Sequence, residues 1–103
     1  MAQSGLFDLT GRLAVVTGGW GTYGAAISEG LAESNAFVVI ASRNLAACEA
    51  EAKRLTARGL AAAAAVYDQS DASSILQFRD HVLATHGLPH IFVNNSVGRP
   101  LSA

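Results

Sequence analysis

Cysteine is almost missing from this chain. Cys48 stands alone among 103 residues, so no intramolecular disulfide can form. It is expected as a small side chain packed on a helix. With one cysteine, and His81 and His86 on different helical faces, a zinc site is not expected. Lysine is as scarce, Lys53 being the only one, and only 15% of residues are charged. The formal net charge is −1 with the cations scattered, which excludes the basic patch that a nucleic-acid partner needs. No apolar run approaches the ~18 residues that cross a membrane. The first residues, Met1-Ala2-Gln3-Ser4-Gly5, lack the charged start and apolar core of a secretion signal, so a cytoplasmic location is expected. Asn94-Asn95-Ser96 matches the glycosylation sequon but falls in an apolar strand pattern, and is read as chance.

Half of the residues are hydrophobic, which is what a folded domain requires, and the length fits one domain over 1–103. Arg12-Leu13-Ala14-Val15-Val16-Thr17 reads as a buried strand. A helix is expected from Thr22 to Ser34, with Ala26, Ile27, Gly30 and Leu31 on its apolar face and Asn35 as a left-handed cap. Ala36–Ala41 is near-continuously apolar, as a strand covered on both faces should be. Asn44 can cap a second helix to about Arg58, with Leu45, Cys48, Ala52 and Leu55 as its stripe and Gly59 as its end. Leu60–Tyr67 is expected as a third strand, although its alanine run favours helix. Asp71 can cap a third helix that points Ile75, Phe78 and Val82 inward and ends at Gly87. His90–Asn95 is the fourth strand.

Strands alternating with helices imply a parallel sheet with right-handed crossovers. The fold class is therefore α/β, a doubly wound, Rossmann-like parallel sheet of order 3-2-1-4 that stops after the fourth strand. Its switch point lies between the first and fourth strands. Thr17–Gly24 and Asn94–Gly98 are expected to meet there.

Between the first strand and the first helix runs Thr17-Gly18-Gly19-Trp20-Gly21-Thr22-Tyr23-Gly24. Glycines there let backbone N–H groups approach a diphosphate placed at the positive end of the helix dipole. The turn satisfies G-x-G-x-x-G at Gly19, Gly21 and Gly24, and T-G-x-x-G-x-x-G from Thr17. A third pattern, T-G-x-x-x-G-x-G, fails only at Thr22. No Gly-Lys-Ser/Thr follows, which excludes a P-loop. The turn points to a dinucleotide.

Here the chain resembles the short-chain dehydrogenase/reductase family, over residues 6–103. The resemblance rests on Val15-Val16-Thr17-Gly18-Gly19 followed by Gly24-Ala25-Ala26-Ile27, and on three further sites. It implies cofactor contacts from Gly18, Trp20, Gly21, Thr22 and Tyr23 in the turn. At the end of the second strand, Ser42 and Arg43 stand where an acidic residue would select NAD. A guanidinium there suits a 2′-phosphate, so NADP is expected over NAD. Asp68 would accept from the adenine amino group, with Gln69 beside it supplying a backbone contact. Val93-Asn94-Asn95-Ser96-Val97-Gly98 is similar to the family's N-N-A-G segment, which brings Asn95 and Ser96 near the cofactor ribose. Ser96 replaces an alanine, and Val97 is one residue more.

Hydride transfer in that family uses a tyrosine with a lysine four residues on, and an upstream serine. Tyr23 is followed at that distance by Ile27 and Tyr67 by Asp71. The resemblance therefore implies the amino-terminal, NADP(H)-binding part of an alcohol/ketone oxidoreductase, a fragment or truncated product, with no catalytic residue of its own. The alternative is a non-catalytic module or subunit that binds or senses the dinucleotide. A third reading, from the T-G-x-x-G-x-x-G spacing, is an extended family member acting on a nucleotide-linked sugar. With Ile91-Phe92-Val93 at an uncovered edge, self-association is expected, or pairing with the remainder of such a domain.

Overall fold

The computed structural model describes residues 8–18 and 20–95. Among these residues four strands and three helices alternate: β1 (Leu13–Thr17), α1 (Thr22–Glu33), β2 (Phe37–Ser42), α2 (Leu45–Ala57), β3 (Ala62–Val66), α3 (Ala72–Thr85) and β4 (Ile91–Asn94). All pairings are parallel, and the sheet order is β3-β2-β1-β4, as the sequence predicts. Val15 sits between Val39 on β2 and Phe92 on β4, so β1 is the central rail of the sheet.

Alternation along the strands divides the core in two. Ala14, Val16, Val38 and Ile40 face one side, where α1 and α2 cover them with Ala32, Cys48, Ala52 and Leu55. Leu13, Val15, Val39 and Ala41 face the other, covered by Phe78 and Val82 of α3. This is what right-handed crossovers on either side of the switch point require. β1 and the centre of β2 are fully buried, each large aliphatic side chain contributing about 1.5–3 kcal/mol relative to an exposed one.

The helices start and stop on local chemistry. Asn44 Oδ1 accepts from Ala47 N at 3.0 Å and Asp71 Oδ1 from Ser73 N at 3.0 Å, capping α2 and α3. Asn35 (φ 77°) and Gly59 (φ 81°) take the left-handed conformation that ends α1 and α2. The alanine run Ala62–Ala65 forms a strand despite its helix propensity. Gly59 isolates it from α2, and its backbone pairs with Val38–Ala41, so tertiary pairing outweighs a few tenths of a kcal/mol per residue, roughly.

Some side chains lie elsewhere than predicted. On α1 the buried row is Gly24, Ser28 and Ala32, with Ile27 and Leu31 packed alongside, while Ala26 and Gly30 are exposed. Small residues form that row because the helix begins directly over β1 and must lie close to it. Leu45 on α2 and Ile75 on α3 are also exposed, each one turn before its first buried residue. Among the described residues, no buried side-chain polar atom lacks a partner. No helix among them is long and apolar enough to cross a membrane.

Candidate functional site

The carboxyl ends of β1, β2 and β4 converge, and hydrogen bonds rather than apolar contacts fasten them together. Thr17, fully buried, donates its hydroxyl to Asn94 Oδ1 at 3.0 Å, opposite which it sits in register. Asn95 N donates to Thr17 O at 3.1 Å, and Asn95 Nδ2 to Gly18 O at 3.2 Å. On the other side, Gly18 N donates to Ala41 O at 2.7 Å. Gly18 has φ 70°, a conformation that lets the chain leave β1 and turn toward α1. The predicted meeting of the glycine turn with the end of β4 is therefore present at Thr17, Gly18, Asn94 and Asn95. Gly19, Ser96, Val97 and Gly98 lie outside the described residues.

The amino end of α1 differs chemically from those of α2 and α3. Its cap is Gly21, which has no side chain to offer the first-turn N–H groups, whereas Asn44 and Asp71 cap α2 and α3. Thr22 and Tyr23, the first helical residues, are exposed. The open N–H groups and the dipole make this end suited to an anionic group.

Across from it, the end of β2 carries Ser42 and Arg43. Trp20 Nε1 donates to Ser42 Oγ at 3.0 Å, tying the glycine turn to β2. Ser42 Oγ also accepts from Asn44 N at 3.0 Å and lies 3.1 Å from the sulfur of Cys48. Arg43 is exposed. Its positive charge helps to hold the Asp68 carboxyl below the usual carboxylate range, after the larger effect of the hydroxyl and N–H of Ser70. Asp68 and the half-buried Gln69 follow the carboxyl end of β3. The bond from Trp20 to Ser42 and the charge of Arg43 on Asp68 thus link the glycine turn to the carboxyl ends of β2 and β3.

Such a rim fits a dinucleotide. It offers an uncapped helix terminus for a diphosphate, an exposed guanidinium for a 2′-phosphate, and a carboxylate whose second oxygen can accept from an adenine amino group. Tyr23 is 78% exposed with no lysine four residues on, and Lys53 is exposed on α2.

The whole-chain comparison decides the family. The family model described as short chain dehydrogenase matches residues 12–101. The chain belongs to the short-chain dehydrogenase family. Gluconate 5-dehydrogenase of Gluconobacter oxydans (strain 621H) is 31% identical over 96 residues, 93% of this chain and 38% of that relative. The crystal structure of a gluconate 5-dehydrogenase from Burkholderia cenocepacia J2315, in complex with NADP and tartrate, superposes with a TM-score of 0.81 at 35% identity, covering 94% of this chain and 39% of that one. The Pseudomonas aeruginosa RhlG/NADP active-site complex superposes at 0.78 with 32% identity, covering 94% and 39%. This short-chain dehydrogenase chain spans about two-fifths of the length of these proteins.

Two features escaped the sequence reading. The bond from Trp20 to Ser42 joins positions 22 apart, and nothing local signals it. His81 and His86 were expected on different helical faces, yet their rings meet edge-on at 6.0 Å. His86 is the C-cap of α3, outside the helical register, and its ring folds back between His81 and Phe37, 5.2 Å from the latter. His90 accepts from Leu13 N through Nδ1 at 3.0 Å. Arg12, Phe37, His86 and His90 border a cleft of about 560 Å³ at the amino ends of the strands, away from the glycine turn.

Proposed function

We propose that this chain, residues 1–103, holds NADP(H) as the cofactor-binding part of a short-chain dehydrogenase/reductase acting on an alcohol/ketone pair. The observation that carries this is Arg43. It stands exposed at the end of β2, across from the uncapped end of α1 and electrostatically coupled to Asp68. Guanidinium pairs with phosphate through parallel, charge-assisted hydrogen bonds, and no acidic residue stands there to favour a free 2′-hydroxyl. The NADP complexes among its similar structures support the same choice.

In this reading Gly18, Gly21, Thr22 and Tyr23 present backbone and first-turn N–H groups to the diphosphate. Arg43 takes the 2′-phosphate, Asp68 and Gln69 border the adenine, and Asn95 with Ser96 borders the ribose. When bound, the nicotinamide supplies or accepts the hydride. The residues of this chain bind and orient it. Without a lysine-assisted tyrosine, they do not pass a proton to a substrate, so these 103 residues alone bind without catalysing.

Trp20 is the sole tryptophan and sits inside the glycine turn. Its emission during titration with NADPH, and separately with NADH, tests the reading. A saturable change at lower NADPH than NADH concentration is expected. A flat response to both would overturn dinucleotide binding.

A further inference from the structure

The cleft at the amino ends of the strands lies apart from the glycine turn, at the other end of the sheet. Its volume of about 560 Å³ falls within the range of small-molecule sites. Its border mixes two chemistries. Phe37 and Leu88 supply apolar surface: Leu88 is 75% exposed, and the Phe37 ring packs 5.2 Å from that of His86. Arg12 and His90 supply donors. Arg12 N donates to Leu9 O at 2.8 Å and Arg12 O accepts from Phe37 N at 3.0 Å, which fixes its backbone at the start of β1. Among the described residues, no carboxylate pairs with its exposed guanidinium. His90 N donates to Leu13 O at 2.9 Å, and Leu13 N donates back to His90 Nδ1 at 3.0 Å. An Nδ1 that accepts carries no hydrogen, so the ring keeps its hydrogen on Nε2 as a donor. Asn35 also borders the cleft, and its amide nitrogen donates to Asp8 Oδ1 at 3.3 Å. No Asp or Glu among the described residues borders it.

We propose that this cleft binds a small aromatic carboxylic acid as its anion. The carboxylate meets the Arg12 guanidinium and the Nε2–H of His90, and the ring lies on Phe37 and Leu88. Guanidinium matches a carboxylate through paired, charge-assisted hydrogen bonds, and the cleft border offers no competing anion. An aromatic body suits the Phe37–His86 pair, because rings favour tilted or offset contact with one another. The cleft is a second site. It lies at the amino ends of the strands, whereas the glycine turn follows the carboxyl end of β1, so its occupancy does not depend on a dinucleotide.

The test is titration of the isotope-labelled 103-residue chain with hydrocinnamate, and separately with its uncharged primary amide, followed by backbone amide chemical shifts. Saturable shifts at Leu13, Phe37 and His90 are expected at roughly millimolar acid, as suits a ligand this small. The amide should bind about threefold to tenfold more weakly, the range of one net hydrogen bond. Arg12→Met should lower the affinity for the acid to that of the amide. Leu88→Ser should weaken acid and amide alike, by about twofold to fivefold. Both side chains are exposed, so neither variant is expected to unfold. Arg79→Gln removes a charge from an exposed position of α3 outside the cleft and should leave binding unchanged. No saturable shift in wild type, shifts confined to the glycine turn, or equal binding of acid and amide would overturn the proposal. So would unchanged affinity in either cleft variant, or an equal loss in Arg12→Met and Arg79→Gln. Titration with NADPH reads the other site, at Gly21 and Thr22, so failure of one site is distinguishable from failure of the other.

Discussion

Asn95 holds the Gly18 peptide from two sides of the same bend: its amide side chain donates to Gly18 O at 3.2 Å while its backbone N–H donates to Thr17 O at 3.1 Å. One residue thus joins β4 to β1 and fixes the direction of the first carbonyl in the glycine turn. Gly18, at φ 70°, has the backbone freedom to turn that carbonyl elsewhere if the amide is removed.

Asn95→Ala should therefore cost about 1 kcal/mol of stability, the net value of one hydrogen bond, measured by urea denaturation. Asn95→Asp should cost more. It replaces the donor with a carboxylate aimed at the Gly18 carbonyl oxygen, adding repulsion to the lost bond. Both should also weaken NADPH. Equal stability of the two variants would mean that the Asn95 amide does not hold Gly18 O in solution.

Arg43→Asp inverts the charge that is expected to meet a 2′-phosphate. It should reduce NADPH affinity by about tenfold or more relative to NADH, since a charge-assisted phosphate contact is worth roughly 1.5–3 kcal/mol. Asp68→Asn tests a different contact. With Ser70 holding the remaining oxygen, it puts an NH2 donor where the second carboxylate oxygen would meet an adenine amino group, which both dinucleotides share, so it should weaken them alike. The measurement is the ratio of dissociation constants for NADPH and NADH. A proportional loss for both in Arg43→Asp would show that Arg43 does not read the 2′-phosphate.

The architecture was legible because the strongest local signals agreed with one another. β-branched runs gave β1 and β2, Asn44 and Asp71 fixed where α2 and α3 start, and Asn35 and Gly59 fixed where helices end. Their alternation implied the order 3-2-1-4 before any contact was known. β3 was legible only from its flanks, because the alanines of Ala62–Ala65 carry no strand preference and pairing with β2 decides their state. Side-chain placement was less legible. The α1 seam runs through Gly24 and Ser28 instead of Ala26 and Gly30, since closeness to the sheet outweighs hydropathy there. At the site, Gly18, Arg43, Asp68 and Asn95 were visible as residue types at strand ends. The bond from Trp20 to Ser42 was not, because it depends on how far the glycine turn reaches across to β2.

Acid should destabilise the fold through His86 before it reaches the carboxylates. Partial burial lowers the pKa of His86 from its ordinary 6.5, and the neighbouring His81 adds repulsion; the Phe37 ring packs 5.2 Å away, and Arg12 and His90 share its cleft. The folded pKa lies below the unfolded one, so the unfolded chain takes up a proton first as pH falls. Stability from neutral His86 is thus complete above about pH 6.5 and is lost as pH drops from there through the folded pKa. Asp8, Glu29 and Asp68 are held below their usual carboxylate range, so they stay ionised in this window. The melting temperature should fall between about pH 7.5 and pH 5.5, and fall less in His86→Gln. An identical slope in the variant would remove His86 as the cause.

The far edge of β4 should make the chain self-associate. β4 pairs with β1 on one side, and among the described residues no strand pairs with its other side. Phe92 is 54% exposed on the face where α3 covers Val15 and Val39, so an aromatic ring lies uncovered on a strand that has one strand neighbour among the described residues. Such an edge is a template for another strand, and its apolar neighbour adds a hydrophobic contribution to pairing. Sedimentation velocity across a hundredfold concentration range should show the average mass rising with concentration. Phe92→Lys should move the balance toward monomer, because a lysine in a strand edge disfavours the approach of a second edge. Its side chain is already largely solvated in wild type, so the melting temperature should change little. A wild-type chain that sediments as a concentration-independent monomer with a cooperative melt would show that this edge is protected.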